Sequence, residues 1–424
     1  MIELDETFEP ASAMASIKVI GIGGAGGNTV NSIVNSGSYG IECIVANTDA
    51  QALSLSKAHK TVHIGVKSTK GLGTGANPDL GKRAAEEDLD KLLDAIGQAD
   101  IVFLTGGMGG GTGSGALPVL AHALRERNIL SIAIVTKPFV FEGKRRGSVA
   151  EKALDLLRKE VDTLIIIPNQ KLLDVVEANV SMLDAFSKIN DILSRSVKGI
   201  SDIITKPGHI NVDFADVRTI MKDMGLAVMG TGRAGGANRA QEATLDAITS
   251  PLLENMSIQG ARGVLLNITG GKSLSLHEIS QAASIIYEQA DEQATIILGS
   301  VIDETLTDEV TVTIIATGFS QNLQQTVAEN KIVGSVLAVE KNEISHQTKE
   351  KVDAKRATEE KKLQVSYETE KNTAATFDYE AQRNETQIDS KINQTEQTFF
   401  EPNSIDHHDL DTPAFLRQDA RLEK

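Results

Sequence analysis

The chain has one cysteine, Cys43, which excludes an internal disulfide framework and any multi-cysteine zinc site and fits a reducing compartment. No apolar run approaches the ~18 residues a membrane-spanning helix requires, so direct membrane insertion is not expected. The acidic start, Met1 to Glu9, has neither the basic head nor the apolar stretch of a secretory signal, and the expected location is cytoplasmic. Basic charge is in short supply. Lys and Arg number 42 against 58 Asp and Glu, a net charge of -16, so no global field gathers nucleic acid and none is expected as a partner. Metal-ligand spacing is missing too. His59 and His63 lack a third ligand, and His277-Glu278 is followed by Gln281 where a zinc peptidase needs its second histidine. No metal-binding side chains are therefore assigned.

Glycine, by contrast, is plentiful and unevenly placed. Of 36 glycines, 35 lie at or before Gly318. Beyond that point the composition changes: residues 341–405 hold only 17 hydrophobic side chains in 65, too few to offset chain entropy. Residues 321–405 therefore read as a disordered linker. The following segment, 406–424, contains Asp411 to Gln418 (DTPAFLRQ), which reads either as a short docking peptide on a tether or as ordinary terminal disorder.

At 424 residues the chain is long enough for two or three domains. From Ile17 onward, short apolar runs (IKVIGI, IECIVA, TVHI, IVFLTG, SIAIVT, TLIIIP) alternate with amphipathic stretches such as 79–96, the rhythm of a parallel sheet wrapped by helices. Apolar residues then recur with helical spacing from Met182 to Ile204, predicting one long helix ended by Pro207 and Gly208. LAVMG, RGVLLNIT, ATIILGS and VTVTIIATG follow, interleaved with helical patterns at 234–248 and 275–290. A second, smaller α/β domain is expected from them.

Three glycine clusters carry the chemistry. GIGGAGG at Gly21 to Gly27 follows the first strand and precedes a helical pattern beginning near Asn28; Gly21, Gly23 and Gly26 satisfy GxGxxG, and Asp49 stands at the spacing of a ribose-binding acid. Alone, this loop reads as a phosphate site or as a structural turn. GGMGGGTGSG at Gly106 to Gly115 has seven glycines in ten residues, a nest of N–H donors to which Thr112 and Ser114 add hydroxyls. GLGTGAN at Gly71 to Asn77 follows another strand and precedes a helix near Pro78. Three such loops at one sheet edge suit a polyphosphate, whereas a dehydrogenase needs only one. Walker chemistry is excluded because Leu266 occupies the glycine position required before Gly271-Lys272-Ser273, and Thr112 breaks a GxSxG nucleophile elbow at Ser114.

After the long helix, GHINVDFADVR places Asp213 and Asp216 three apart. They can share a helix face and polarise water or hold Mg²⁺, or Asp213 can simply cap the helix. A helix of roughly 24 residues spans ~36 Å, so if it starts beside the nucleotide these acids reach a neighbour's phosphates and not their own.

GGGTGSG at Gly109 to Gly115, NVDFADVR at Asn211 to Arg218 and TPAFLR at Thr412 to Arg417 together resemble the FtsZ branch of the tubulin/FtsZ GTPase family, over residues 16–320 and the terminal peptide. The resemblance implies an α/β fold: a Rossmann-type parallel-sheet GTPase domain (16–181) joined by a long central helix (182–206) to a smaller α/β activating domain (207–320), with an N-terminal extension (1–15) and a disordered tail. It also implies GTP-dependent head-to-tail assembly, with GTP hydrolysed to GDP at the junction between subunits. By motif, Gly23, Gly24, Ala25, Gly26, Gly27 and Asn28, together with Gly109, Gly110, Gly111, Thr112, Gly113, Ser114 and Gly115, would hold phosphates. Gly75, Ala76 and Asn77 would lie near the terminal one. Glu142 and Arg146 would contact the ribose side, and Phe186 and Asn190 the guanine. Asp213 and Asp216 would activate water in the adjacent subunit's site, with Asn211 positioning their loop and Mg²⁺ offsetting phosphate charge. Gly27 departs from the family, standing where many relatives have asparagine. The further implications are a division ring at midcell and membrane-tethering and regulatory division proteins bound through Asp411 to Arg417. Two other readings stay open: a nucleotide-dependent oxidoreductase, and a GTP-binding regulator that does not polymerise.

Overall fold

A computed structural model of the chain describes residues 15–319 apart from 38–39, 173–180, 207, 209 and 254–257; the expected linker and docking peptide, Asp411 to Arg417 included, lie outside the described residues. The first half runs β1 (Ile17–Ile22), α1 (Gly23–Asn35), β2 (Ile41–Asn47), α2 (Ala50–Ser54), β3 (Lys60–His63), α3 (Val66–Thr69), α4 (Pro78–Glu87), α5 (Leu89–Ile96) and β4 (Ile101–Gly107). It continues through α6 (Thr112–Glu126), β5 (Leu130–Lys137), α7 (Lys144–Glu160), β6 (Thr163–Pro168) and α8 (Asn169–Leu172) to the long α9 (Met182–Thr205). Then come α10 (Phe214–Met221), β7 (Gly225–Gly235), α11 (Arg239–Ile248), β8 (Gly263–Gly270), α12 (Leu276–Gln289), β9 (Thr295–Ile302) and β10 (Glu309–Thr317).

The strands form a ten-stranded sheet in the order β3-β2-β1-β4-β5-β6-β7-β10-β8-β9. From β3 to the start of β7 every pairing is parallel. The apolar runs are continuous because both sheet faces are covered: in β1, Ile17 and Val19 join the core on one side while Ile20 and Ile22 join the core on the other. β6 and β7 share only three register pairs, Thr163 with Gly225 through Ile165 with Ala227. Beyond them the sheet is mixed. β10 inserts antiparallel between β7 and β8, and β8 pairs parallel with β9.

Local departures from the expected elements have local causes. The 79–96 pattern is two helices, broken at Asp88, whose carboxylate accepts the Gly65 N–H at 2.7 Å and pairs with Lys91 at 2.6 Å. The helix expected near Asn28 already starts at Gly23, and the 234–248 pattern becomes helical only at Arg239 because β7 extends to Gly235. Short α3 stands between β3 and the 71–77 glycine cluster.

α9 bridges the two halves. Its second half presses Gly199 against Thr313 of β10, where a Cβ would come within 2.9 Å of the Thr313 Cγ2, and Asn267 of β8 donates its amide N–H to the Gly199 carbonyl at 2.9 Å. α11 and α12 pack with β8 and β10 around a separate core, clamped at the rim by buried Arg239, which donates to Glu278, Asp308 and Ser273.

Candidate functional site

A cavity of about 440 Å³ opens at the C-terminal edge of β1, β4, β5 and β6, where open parallel sheets bind ligands. Two helices start there with no side-chain cap: α1 follows Ile22, and α6 follows Gly111. Their first-turn N–H groups have no helical partners and carry the positive ends of two helix dipoles, a ready-made anion site. Gly23, Gly24, Ala25 and Asn28 line the cavity from α1, and Gly110, Gly111, Thr112 and Gly113 from the loop entering α6. Glycine is required at two of these. Gly23 has φ +75°, and a Cβ on Gly111 would lie 2.1 Å from Thr74 Oγ1 and 2.8 Å from the Asn77 nitrogen.

The opposite wall comes from Glu142 and Arg146, joined in an ion pair, and from Phe186 and Asn190 in the first turns of α9. Phe186 is 39% exposed, so it is not a core residue; Phe139 meets it edge-on at 5.7 Å and leaves it facing the cavity. Ser181 caps α9 through the Asp184 N–H at 3.1 Å, fixing where this helix begins.

Eight other motif residues do not line the cavity. Gly26 packs under β4, where a Cβ would fall 2.7 Å from the Thr105 carbonyl oxygen, and Gly115 lets α6 cross α4, its Cβ position lying 2.1 Å from the Pro78 carbonyl oxygen. Gly27 faces Val45 with room for a side chain. Gly109 turns the loop at φ +95°, braced by the Ser114 hydroxyl, which accepts the Gly109 N–H at 2.9 Å. Gly75, Ala76 and Asn77 stand exposed just past Thr74, which does line the wall; Ala76 holds φ +61°, and Asn77 caps α4 by accepting the Asp79 N–H at 3.0 Å.

Sequence reasoning missed Thr74, Thr136, Pro138 and Asn169, which also line the cavity. Asn169 is 6% exposed and its Oδ1 has no donor among the described residues, so the side chain offers a buried acceptor to a ligand. Its only sequence signal was its place directly after TLIIIP. Asp49, by contrast, caps α2 through the Gln51 and Ala52 N–H groups and is absent from the cavity wall. Buried Cys43 is inert, burial pushing its thiol up to about 11.

Asn211, Asp213 and Asp216 lie elsewhere. Asn211 accepts the Gly208 N–H at 2.8 Å, bracing the turn after α9, and Asp213 accepts the Asp216 N–H at 2.8 Å as the N-cap of α10. Both carboxylates are exposed. α10 packs at the N-terminal edge of the sheet: Arg218 donates to the carbonyl of Asn128 just before β5, and Thr163 at the start of β6 donates to the Met221 carbonyl. The cavity sits at the other edge of those same strands. The eight residues of β5 alone span about 26 Å.

Residues 16–177 match the model of the Tubulin/FtsZ family GTPase domain, and residues 225–320 match the FtsZ family C-terminal domain. Over 332 residues the chain is 50% identical to the cell division protein FtsZ of Pseudomonas aeruginosa, covering 78% of this chain and 84% of that protein. The chain belongs to the FtsZ family. As an FtsZ-family protein it is a tubulin-like GTPase, and the single-loop oxidoreductase reading is set aside. The structure of an empty FtsZ dimer from M. jannaschii superposes with a TM-score of 0.69 at 43% identity, covering 72% of this chain and 88% of that one. The fold extends to the GTPγS-bound protofilament of CetZ2 from Haloferax volcanii, at TM-score 0.61 and 20% identity over 76% of this chain and 99% of that one. Among the described residues no helix is long and apolar enough to cross a membrane.

Proposed function

We infer that this chain assembles head to tail and hydrolyses GTP at each junction, where the phosphate cradle of one copy meets Asp213 and Asp216 of the next. The observation carrying this is the separation of cradle and acids to opposite edges of one sheet, which leaves each copy with half a site. A contact between different faces is heterologous and open ended, so filaments follow. In this reading residues 16–181 hold the phosphates and ribose, 182–206 link the halves and bring Phe186 and Asn190 to the guanine, and 207–320 supply the acids.

The N–H groups of Gly23, Gly24, Ala25 and Asn28 and of Gly110 to Gly113 bind phosphate oxygens, Glu142 and Arg146 flank the ribose, and Phe186, Asn190 and Asn169 hold guanine. Gly75 to Asn77 lie toward the terminal phosphate. Gly26, Gly27, Gly109, Ser114 and Gly115 shape the two loops. Exposed carboxylates of the incoming copy orient water for in-line attack, while preorganised N–H donors stabilise the charge that shifts toward the leaving diphosphate. When bound through the phosphates, Mg²⁺ would supply further charge neutralisation there. Loss of the terminal phosphate weakens the junction and allows disassembly. In the cell this activity builds the division ring at midcell, with adaptor and regulatory division proteins engaged through Asp411 to Arg417.

The test is turnover per subunit against protein concentration, with light scattering in GTP and GDP. Turnover should rise from near zero through an assembly threshold, and scattering should need GTP. Constant turnover at every dilution would leave a regulator that does not polymerise.

A further inference from the structure

We propose that Thr48, at the end of β2 and outside the cavity wall, is a positioning residue that aims the Thr112 hydroxyl at a bound phosphate. The proposal rests on the nucleotide reading of the cavity above. Thr48 is completely buried, and its Oγ1 has one hydrogen-bond partner among the described residues, Thr112 Oγ1 at 2.8 Å. A hydroxyl carries one proton and two lone pairs, and a buried proton left without an acceptor is costly. Thr48 therefore donates to Thr112. Thr74 Oγ1 also lies 3.3 Å from the Thr112 oxygen and fills the space that a Cβ on Gly111 would take. With Thr112 accepting from behind, its own proton turns into the cavity that Thr112 lines, where an anionic oxygen is the matching acceptor. A chain of hydroxyls ending on a charge polarises in one direction, which strengthens the last bond.

Thr48 also holds the loop that carries Gly75 to Asn77. Its backbone carbonyl accepts the Gly73 N–H at 3.2 Å and the Thr69 hydroxyl at 3.3 Å. One residue thus links the cradle through its side chain and the loop through its main chain.

The experiment is calorimetric titration of the full chain with GDP and with a non-hydrolysable GTP analogue, below the assembly threshold, for wild type, Thr48→Val, Thr48→Ser, Thr112→Val and the Thr48→Val/Thr112→Val double variant. Removing the donor should weaken binding about 5- to 30-fold, the equivalent of about 1 to 2 kcal/mol, the order of one intramolecular hydrogen bond. Serine at 48 should restore binding, and Thr48→Val should add almost nothing once Thr112 is already valine. Wild-type affinity in Thr48→Val, failure of serine to rescue, or full additivity in the double variant would each overturn the proposal. A wild-type chain that binds neither nucleotide would overturn the functional reading itself.

Discussion

Replacing Asp213 by asparagine separates the two tasks open to this side chain. As the N-cap of α10 it accepts the Asp216 N–H at 2.8 Å. Asparagine caps as well as aspartate, so stability should hold to within a few tenths of a kcal/mol, whereas alanine would cost about 1 kcal/mol. The amide cannot take a proton from water, and a positioned general base contributes about 10²- to 10⁴-fold. Phosphate release from Asp213→Asn should therefore fall by about a hundredfold or more, with thermal unfolding and GTP binding unchanged. Mixing sharpens the test. Gly111→Ala retains Asp213 but forces a Cβ into Thr74 Oγ1 and the Asn77 nitrogen, so it should be inactive through loss of the cradle. An equal mixture of the two inactive variants creates junctions that pair the intact cradle of one with the intact acid of the other, about a quarter of all junctions if assembly is random. Activity should reappear on mixing. Wild-type turnover by Asp213→Asn alone, or silence of the mixture, would refute a reaction centre divided between copies.

Other consequences can be measured on single variants. Gly111→Ala should weaken GTP binding by tenfold or more, because the backbone of the 71–77 loop must shift; unchanged affinity in a nucleotide titration would count against the cradle geometry. Asn169→Ala should weaken GDP binding by about tenfold through loss of a buried acceptor, with little change in melting temperature, and an unaltered titration would remove Asn169 from the site. Arg239→Met should destabilise the protein by about 3 kcal/mol at neutral pH by leaving Glu278 without its partner. The hydrogen bond from Arg239, helped by those from Ser275, lowers Glu278 from its ordinary 4.5 to about 2, so the stability these bonds contribute is complete above pH 4.5 and is lost as pH falls toward 2. Wild type should lose stability across that window more steeply than Arg239→Met in denaturant titrations, and parallel profiles would contradict the linkage.

Much of this molecule was written in local pattern. The ten apolar runs, the 24 residues of α9 and the glycine clusters could be located because hydrophobic periodicity and glycine enrichment are properties of neighbouring residues. NVDFADVR and GGGTGSG pointed to nucleotide chemistry through the family they resemble. Strand pairing was not legible, since nothing in VTVTIIATG says that β10 lies between β7 and β8; that choice depends on which edge remains open after the helices pack. Nor could spacing assign Thr48, Thr74 or Asn169, whose roles arise from contacts across 38 or more residues or from burial against a cavity. Asp213 was read as either a cap or an acid, and tertiary structure made it an exposed cap at the sheet edge opposite the cradle. Residue types determined what chemistry was available; packing alone decided which groups would meet within a chain and which were left to face another.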